Sequence, residues 1–176
     1  MQVEGDTLEA KHILLASGAE PIKLNIPGEE HLITNEEFLT LEALPRRIVL
    51  VGGGYIASEF SHIAARAGAA VTVLQHGERM LKKFDPEVVG WLMESFKTLG
   101  IDVRTRTTVE AVEKTNSGYA VHATADGKSV SVEADLVVHA AGRGPAFESL
   151  NLETAGVATE NGRLKLNEYL QSVSNP

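Results

Sequence analysis

The chain has 176 residues, a formal net charge of -8, 43% hydrophobic and 23% charged residues, and no cysteine; this is the composition of a folded globular protein with one substantial core. The negative charge argues against nucleic-acid or acidic-membrane partners, which call for basic patches. The lack of cysteine removes disulfides and thiolate metal sites, and no apolar run has signal or membrane length, so a cytoplasmic location is expected.

In chain order, Gly5-Asp6 reads as a turn, and His12 to Ala16 as a short buried strand stopped by Ser17-Gly18. That fragment has no helix to cover it and needs a sheet from elsewhere. Residues 20–45 carry Pro21, Pro27-Gly28 and Pro45 around a weakly helical Asn35 to Leu41, and read as a linker or covering arm.

Ile48-Val49-Leu50-Val51 then runs straight into Gly52-Gly53-Gly54, the pattern of a strand buried on both faces and closed by a glycine turn. The period changes at once: Ile56, Phe60, Ile63, Ala64 and Ala67 make one face of a helix ended by Gly68. The result is the G-x-G-x-x-A pattern of a dinucleotide-binding corner, which also reads as an ordinary strand-to-helix corner. Gly52 would make the tight turn, Gly54 would admit a pyrophosphate to the backbone, and Ala57 would let helix and strand pack closely. A second strand, Ala70 to Gln75, ends where a ribose-recognition residue belongs.

The loop His76 to Phe84 follows, with Arg79, Lys82 and Lys83. Asp85 is placed as an N-cap with Pro86 at the first helical position, and Val88, Leu92, Phe96 and Leu99 share one face as far as Gly100. A third strand, Ile101 to Arg104, completes a β-α-β-α-β order, which implies a parallel sheet with right-handed crossovers. Val109 to Lys114, Tyr119 to Thr124 and Val130 to Glu133 then alternate with period two between the turns Asn116-Ser117-Gly118 and Asp126-Gly127, which predicts a three-stranded antiparallel meander in place of the next helix. Leu136 to Ala141 returns as a buried strand in which His139 is a hydrogen-bonded core residue. The tail has an Asn161-Gly162 turn and a strand-like Arg163 to Leu166. The predicted class is α/β, a Rossmann-like parallel sheet with an inserted three-stranded antiparallel β-meander.

Gln75 is neutral where NAD binders carry an acid for the ribose hydroxyls, and it precedes a cationic loop, which favours the 2'-phosphate of NADP over NAD. The same loop also reads as a solvated basic turn. His12, His31, His62, His76, His122 and His139 show no ligand spacing, and Ser58 and Ser61 lack a nucleophile context, so neither a metal nor a nucleophile site is expected.

The ordered set ILLASGAEP, IPG, LPRRIVLVGGGYIASEF, VTVLQHGERMLKKFD, the meander and VVHAAGRGP resembles the central part of an FAD-dependent pyridine nucleotide-disulfide oxidoreductase, glutathione reductase-like. The resemblance implies an NAD(P)H-binding domain at 45–143, a covering arm at 21–44, and returning pieces of an FAD domain at 1–20 and 144–176. It implies that Gly52, Gly54 and Ala57 hold the pyrophosphate, with Gly53 and Ile56 among the cofactor-binding residues, that Tyr55 covers the nicotinamide pocket, and that Glu59 lies near the hydride-transfer face. Gly142 would approach the nicotinamide, Ala16 to Gly18 the flavin, and His76 and Lys82 would stand where two arginines hold the 2'-phosphate, with Gln75 beside them. Tyr55 as a half-buried aromatic and Glu59 as a solvated helix residue are the plain alternatives.

In the intact protein the resemblance implies FAD, a disulfide-type acceptor and a homodimer. The flavin fingerprint and redox cysteines lie outside this sequence, so the chain alone is expected to be inactive. Two other readings stay open. One is a cysteine-free NAD(P)H:flavin oxidoreductase of NADH dehydrogenase or ferredoxin reductase type; the other is a non-catalytic nucleotide-binding module.

Overall fold

The unbroken apolar run at 48–51 is a strand with two covered faces. In the computed structural model, which describes residues 2, 3 and 5–175, the strand β1 (Arg47–Val51) sends Ile48 and Leu50 into a core beneath helices and Val49 and Val51 into a second core beneath the meander. Met1, Glu4 and Pro176, among them the outer bounds of the first and last predicted segments, lie outside the described residues. The chain divides into two compact units, residues 21–143 and residues 1–20 with 144–176.

The larger unit begins with the arm. Its helix α1 (Asn35–Leu39) starts at a capping box: the Glu37 N–H donates to Thr34 Oγ1, and the Thr34 N–H donates to the Glu37 carboxylate. Phe38 of α1 is buried and stacks on Phe60 with centroids 4.7 Å apart. The arm is integral to the sheet as well, because the Ile33 N–H donates to the Val137 carbonyl and the Ile33 carbonyl accepts the His139 N–H.

After β1 come α2 (Tyr55–Arg66), β2 (Ala70–Leu74), α3 (Pro86–Thr98) and β3 (Asp102–Arg104). Asp85 caps α3 through the Glu87 and Val88 N–H groups, with Pro86 at the first position as expected. The meander strands β4 (Thr107–Thr115), β5 (Gly118–Ala125) and β6 (Lys128–Ala134) then lead into β7 (Leu136–His139). The parallel sheet has the order β7-β1-β2-β3 and the meander the antiparallel order β4-β5-β6. At Asp126-Gly127 both residues have positive φ, which is the hairpin chemistry that the Asp-Gly pair predicts.

The predicted class and element order hold, with corrections in detail. Ile63 is 53% exposed and Ala67 is exposed; the buried face of α2 is Ile56, Ala57, Phe60, Ser61 and Ala64. In the first turns of α3 the buried residue is Val89 rather than the expected Val88, because packing against the sheet sets the buried face one residue later than the apolar spacing suggests. The strand predicted over Leu136 to Ala141 ends at His139, where the chain bends past the glycine turn.

The smaller unit is sparsely ordered. The expected buried strand at His12 to Ala16 is absent: residues 8–18 form neither helix nor strand, and Leu14 is 90% exposed. An apolar run without a neighbouring strand to pair with has no ladder to satisfy its backbone. The tail hairpin pairs Thr159–Glu160 with Arg163–Leu164, and Leu166 forms only an isolated bridge to Ser172.

Candidate functional site

The strand order reverses beside β1: the chain leaves it toward β2 and β3 and returns to β7 on its other side. In such sheets the crevice outside the carboxyl ends, at the reversal, is where ligands bind. Here that crevice is made by backbone. Gly52 has φ +114°, and a Cβ there would lie 2.3 Å from the Ala140 oxygen and 2.5 Å from the Ala141 Cα. Only glycine lets the turn after β1 pass the end of β7 this closely.

Gly54 is the N-cap of α2 with no side-chain cap, and the first turn of α2 carries no acidic residue. A Cβ on Gly54 would meet nothing nearer than the Ala140 oxygen at 3.9 Å, so the approach to the first-turn N–H groups is open. Ile56 and Ala57 are buried in the helix-side core, and only their backbone faces this approach as N–H donors. Tyr55 is 56% exposed and Glu59 is exposed, one turn apart on the solvent side of α2.

At the end of β2 the side chain of Gln75 turns inward. It is 8% exposed and lies beneath Gly53, where a Cβ would come within 2.8 Å of its Cδ, and against Gly77, where a Cβ would come within 2.8 Å of its Nε2. Its amide donates to the Arg79 carbonyl at 3.1 Å. Arg79 Nη2 donates in turn to the Lys82 carbonyl at 2.6 Å, and the Leu81 N–H donates to the Gly53 carbonyl at 2.7 Å. His76 and Lys82 are exposed on this loop. A cavity of about 190 Å3 opens beside it, lined by Leu24, Ile26, Val51, Gly52, Leu74, His76, Thr107, Thr108, Val109 and Ala141.

Gly142 follows Ala141 at the far wall of the crevice, and its carbonyl accepts the Ile22 N–H at 3.2 Å. The buried His139 donates from Nε2 to the Ile22 carbonyl at 2.8 Å, as a hydrogen-bonded core histidine should. The glycines, Gln75, His76 and the residues before Gly142 thus share one crevice rim, with Tyr55 and Glu59 on the outer face of α2. The braces made by Arg79 and Ile22 carried no motif in the sequence. The signal available was Gly77, a glycine beside Gln75 with no turn of its own to explain it.

The whole chain, residues 1–176, matches the family model described as pyridine nucleotide-disulphide oxidoreductase. The chain belongs to that family. Among its relatives, a mercuric reductase of Staphylococcus aureus is 37% identical over 178 residues, covering 99% of this chain and 32% of the relative. A glutathione reductase of Burkholderia cepacia is 36% identical over 173 residues, covering 98% and 38%. Among solved structures, the HOCl-induced flavoprotein disulfide reductase RclA from Escherichia coli superposes with a TM-score of 0.78 at 26% identity, over 90% of this chain and 37% of that one. The chain therefore spans about a third of the length of such relatives.

Pyridine nucleotide-disulphide oxidoreductases depend in general on FAD and NAD(P)H. The start of α2 fits an anionic group such as a phosphate on its own geometry: an uncapped helix start with no acidic residue in its first turn, reached across a glycine that leaves space. Among the described residues no group of three or more His, Asp or Glu is placed to hold a metal ion, and no helix is long and apolar enough to cross a membrane.

Proposed function

We propose that this chain is the NAD(P)H-binding part of a flavoprotein disulfide oxidoreductase, and that it prefers NADPH. Residues 45–143 form the nucleotide domain with 21–44 as its arm, and residues 1–20 and 144–176 belong to the flavin-binding part. The observation that carries the reading is the open, uncapped N-terminus of α2 at the strand reversal, with a Cβ-sized space at Gly54.

The first-turn N–H groups of α2 would bind the pyrophosphate, and the apolar cavity beside His76 and Val109 would take the adenosine end. His76 and Lys82 would pair with the 2'-phosphate. Tyr55 would cover the nicotinamide and Glu59 would orient it, with Gly142 on the facing wall. The bound nicotinamide supplies a hydride for the flavin and thence for a disulfide-type acceptor. This chain's own residues bind and orient. It has no cysteine, so thiol exchange lies outside these residues.

Titration calorimetry of the purified chain with NADPH and NADH tests the reading. One-to-one binding of NADPH without flavin absorbance in the protein is the expected result, and binding of neither nucleotide would overturn it.

A further inference from the structure

The residue at the end of the second strand is expected to read the ribose from the surface, yet here it is a buried amide between two glycines. Gln75 has its backbone fixed on both sides, its N–H donating to the Arg104 carbonyl at 2.9 Å and its carbonyl accepting from the Thr107 N–H at 3.0 Å. Its side chain fills the space that Gly53 and Gly77 leave, and its Nε2 holds the Arg79 carbonyl. Arg79 then holds the Lys82 carbonyl, and Leu81 holds Gly53. These contacts close a circuit in which the glycine turn and the cationic loop form one hydrogen-bonded body.

Resting on the nucleotide reading above, we infer that Gln75 is a positioning residue: it sets the 76–84 loop against the glycine turn so that a nucleotide held at the turn meets the loop's cations. It does not touch the ribose. An amide serves here where a carboxylate does not. The site needs a donor toward the Arg79 carbonyl, which a carboxylate lacks, and a buried carboxylate facing a carbonyl oxygen is repelled as well as desolvated. The neutral residue that disfavours a free ribose diol thus also builds the loop that favours a phosphate. Arg79 serves the same end by a different bond.

The test compares Gln75→Met, which keeps length and burial and removes the donor, with Gln75→Glu and Arg79→Met, each titrated with NADPH and with NADH and followed by thermal unfolding. Each variant is expected to lose roughly fivefold or more of NADPH affinity, with NADH affinity within about twofold of the parent. Gln75→Glu should in addition fail to tighten NADH. Tighter NADH binding by Gln75→Glu would show a ribose reader and overturn the inference. Equal losses for both nucleotides in Gln75→Met and Arg79→Met, or no loss in either, would overturn it too. If the parent chain prefers NADPH and His76→Ala with Lys82→Ala removes that preference while these variants do not, this inference alone falls. A parent chain with no NADPH preference takes both readings down.

Discussion

The N–H of Leu81 donates to the carbonyl oxygen of Gly53 at 2.7 Å, tying the loop after β2 to the turn after β1. Leu81 holds φ +50° to do so, a left-handed conformation that an apolar residue adopts only under constraint. Turn and loop are therefore one structural element, although the whole of α2 and β2 lies between Gly53 and Leu81 in the sequence.

Two glycines of the turn separate folding from binding. Gly52→Ala forces a side chain into φ +114° and onto the Ala140 oxygen, so it should destabilise the chain by roughly 2 kcal/mol or more. Gly54→Ala meets no such contact and should cost under about 1 kcal/mol of stability. It should nevertheless weaken NADPH and NADH alike by on the order of tenfold, because its methyl group occupies the pyrophosphate approach. Thermal unfolding and calorimetry on the two variants check this; an unimpaired Gly54→Ala would remove the pyrophosphate from this turn.

A stacked aromatic pair anchors α1 to α2. Phe38 is 6% exposed and packs on Phe60 of α2. Phe38→Ala should lower stability by about 3–5 kcal/mol through transfer and cavity terms. Denaturant unfolding measures it, and a loss below about 1 kcal/mol would mean that this helix is only loosely attached.

At the opposite end of the sheet, Arg47 donates from Nε and Nη2 to Asp135 and from Nη1 to Glu133. The guanidinium of Arg47 holds the Asp135 carboxyl below its ordinary range. A depressed carboxylate contributes stability above its unfolded pKa, and that contribution is lost as pH falls through the folded value. Asp135→Asn should therefore lower Tm by on the order of a few degrees at neutral pH, with the gap from the parent closing below about pH 4. Parallel Tm curves across that range would contradict the assignment.

Much of this was legible in the sequence because it rests on local rules. The apolar run at 48–51, the Asp85-Pro86 helix start and the Asp126-Gly127 turn each declare their structure through period or turn chemistry. What was not legible depends on partners far away in the chain. Val88 and Val89 differ by one step of helix phase, which packing against the sheet decides. His12 to Ala16 has the composition of a strand but pairs with no strand among the described residues. Gln75 occupies the expected position, yet its inward rotamer follows from the space left by Gly53 and Gly77.

The most direct test of the account is the nucleotide preference of His76→Ala with Lys82→Ala, measured by calorimetry against the parent chain. The parent should bind NADPH more tightly than NADH by on the order of tenfold or more, since one charge-assisted phosphate contact is worth roughly 1.5–3 kcal/mol. The double variant should lose most of that preference and keep its NADH affinity, because NADH lacks the phosphate. Equal losses for both nucleotides, or a parent chain that binds them equally, would contradict the claim that this loop reads the 2'-phosphate.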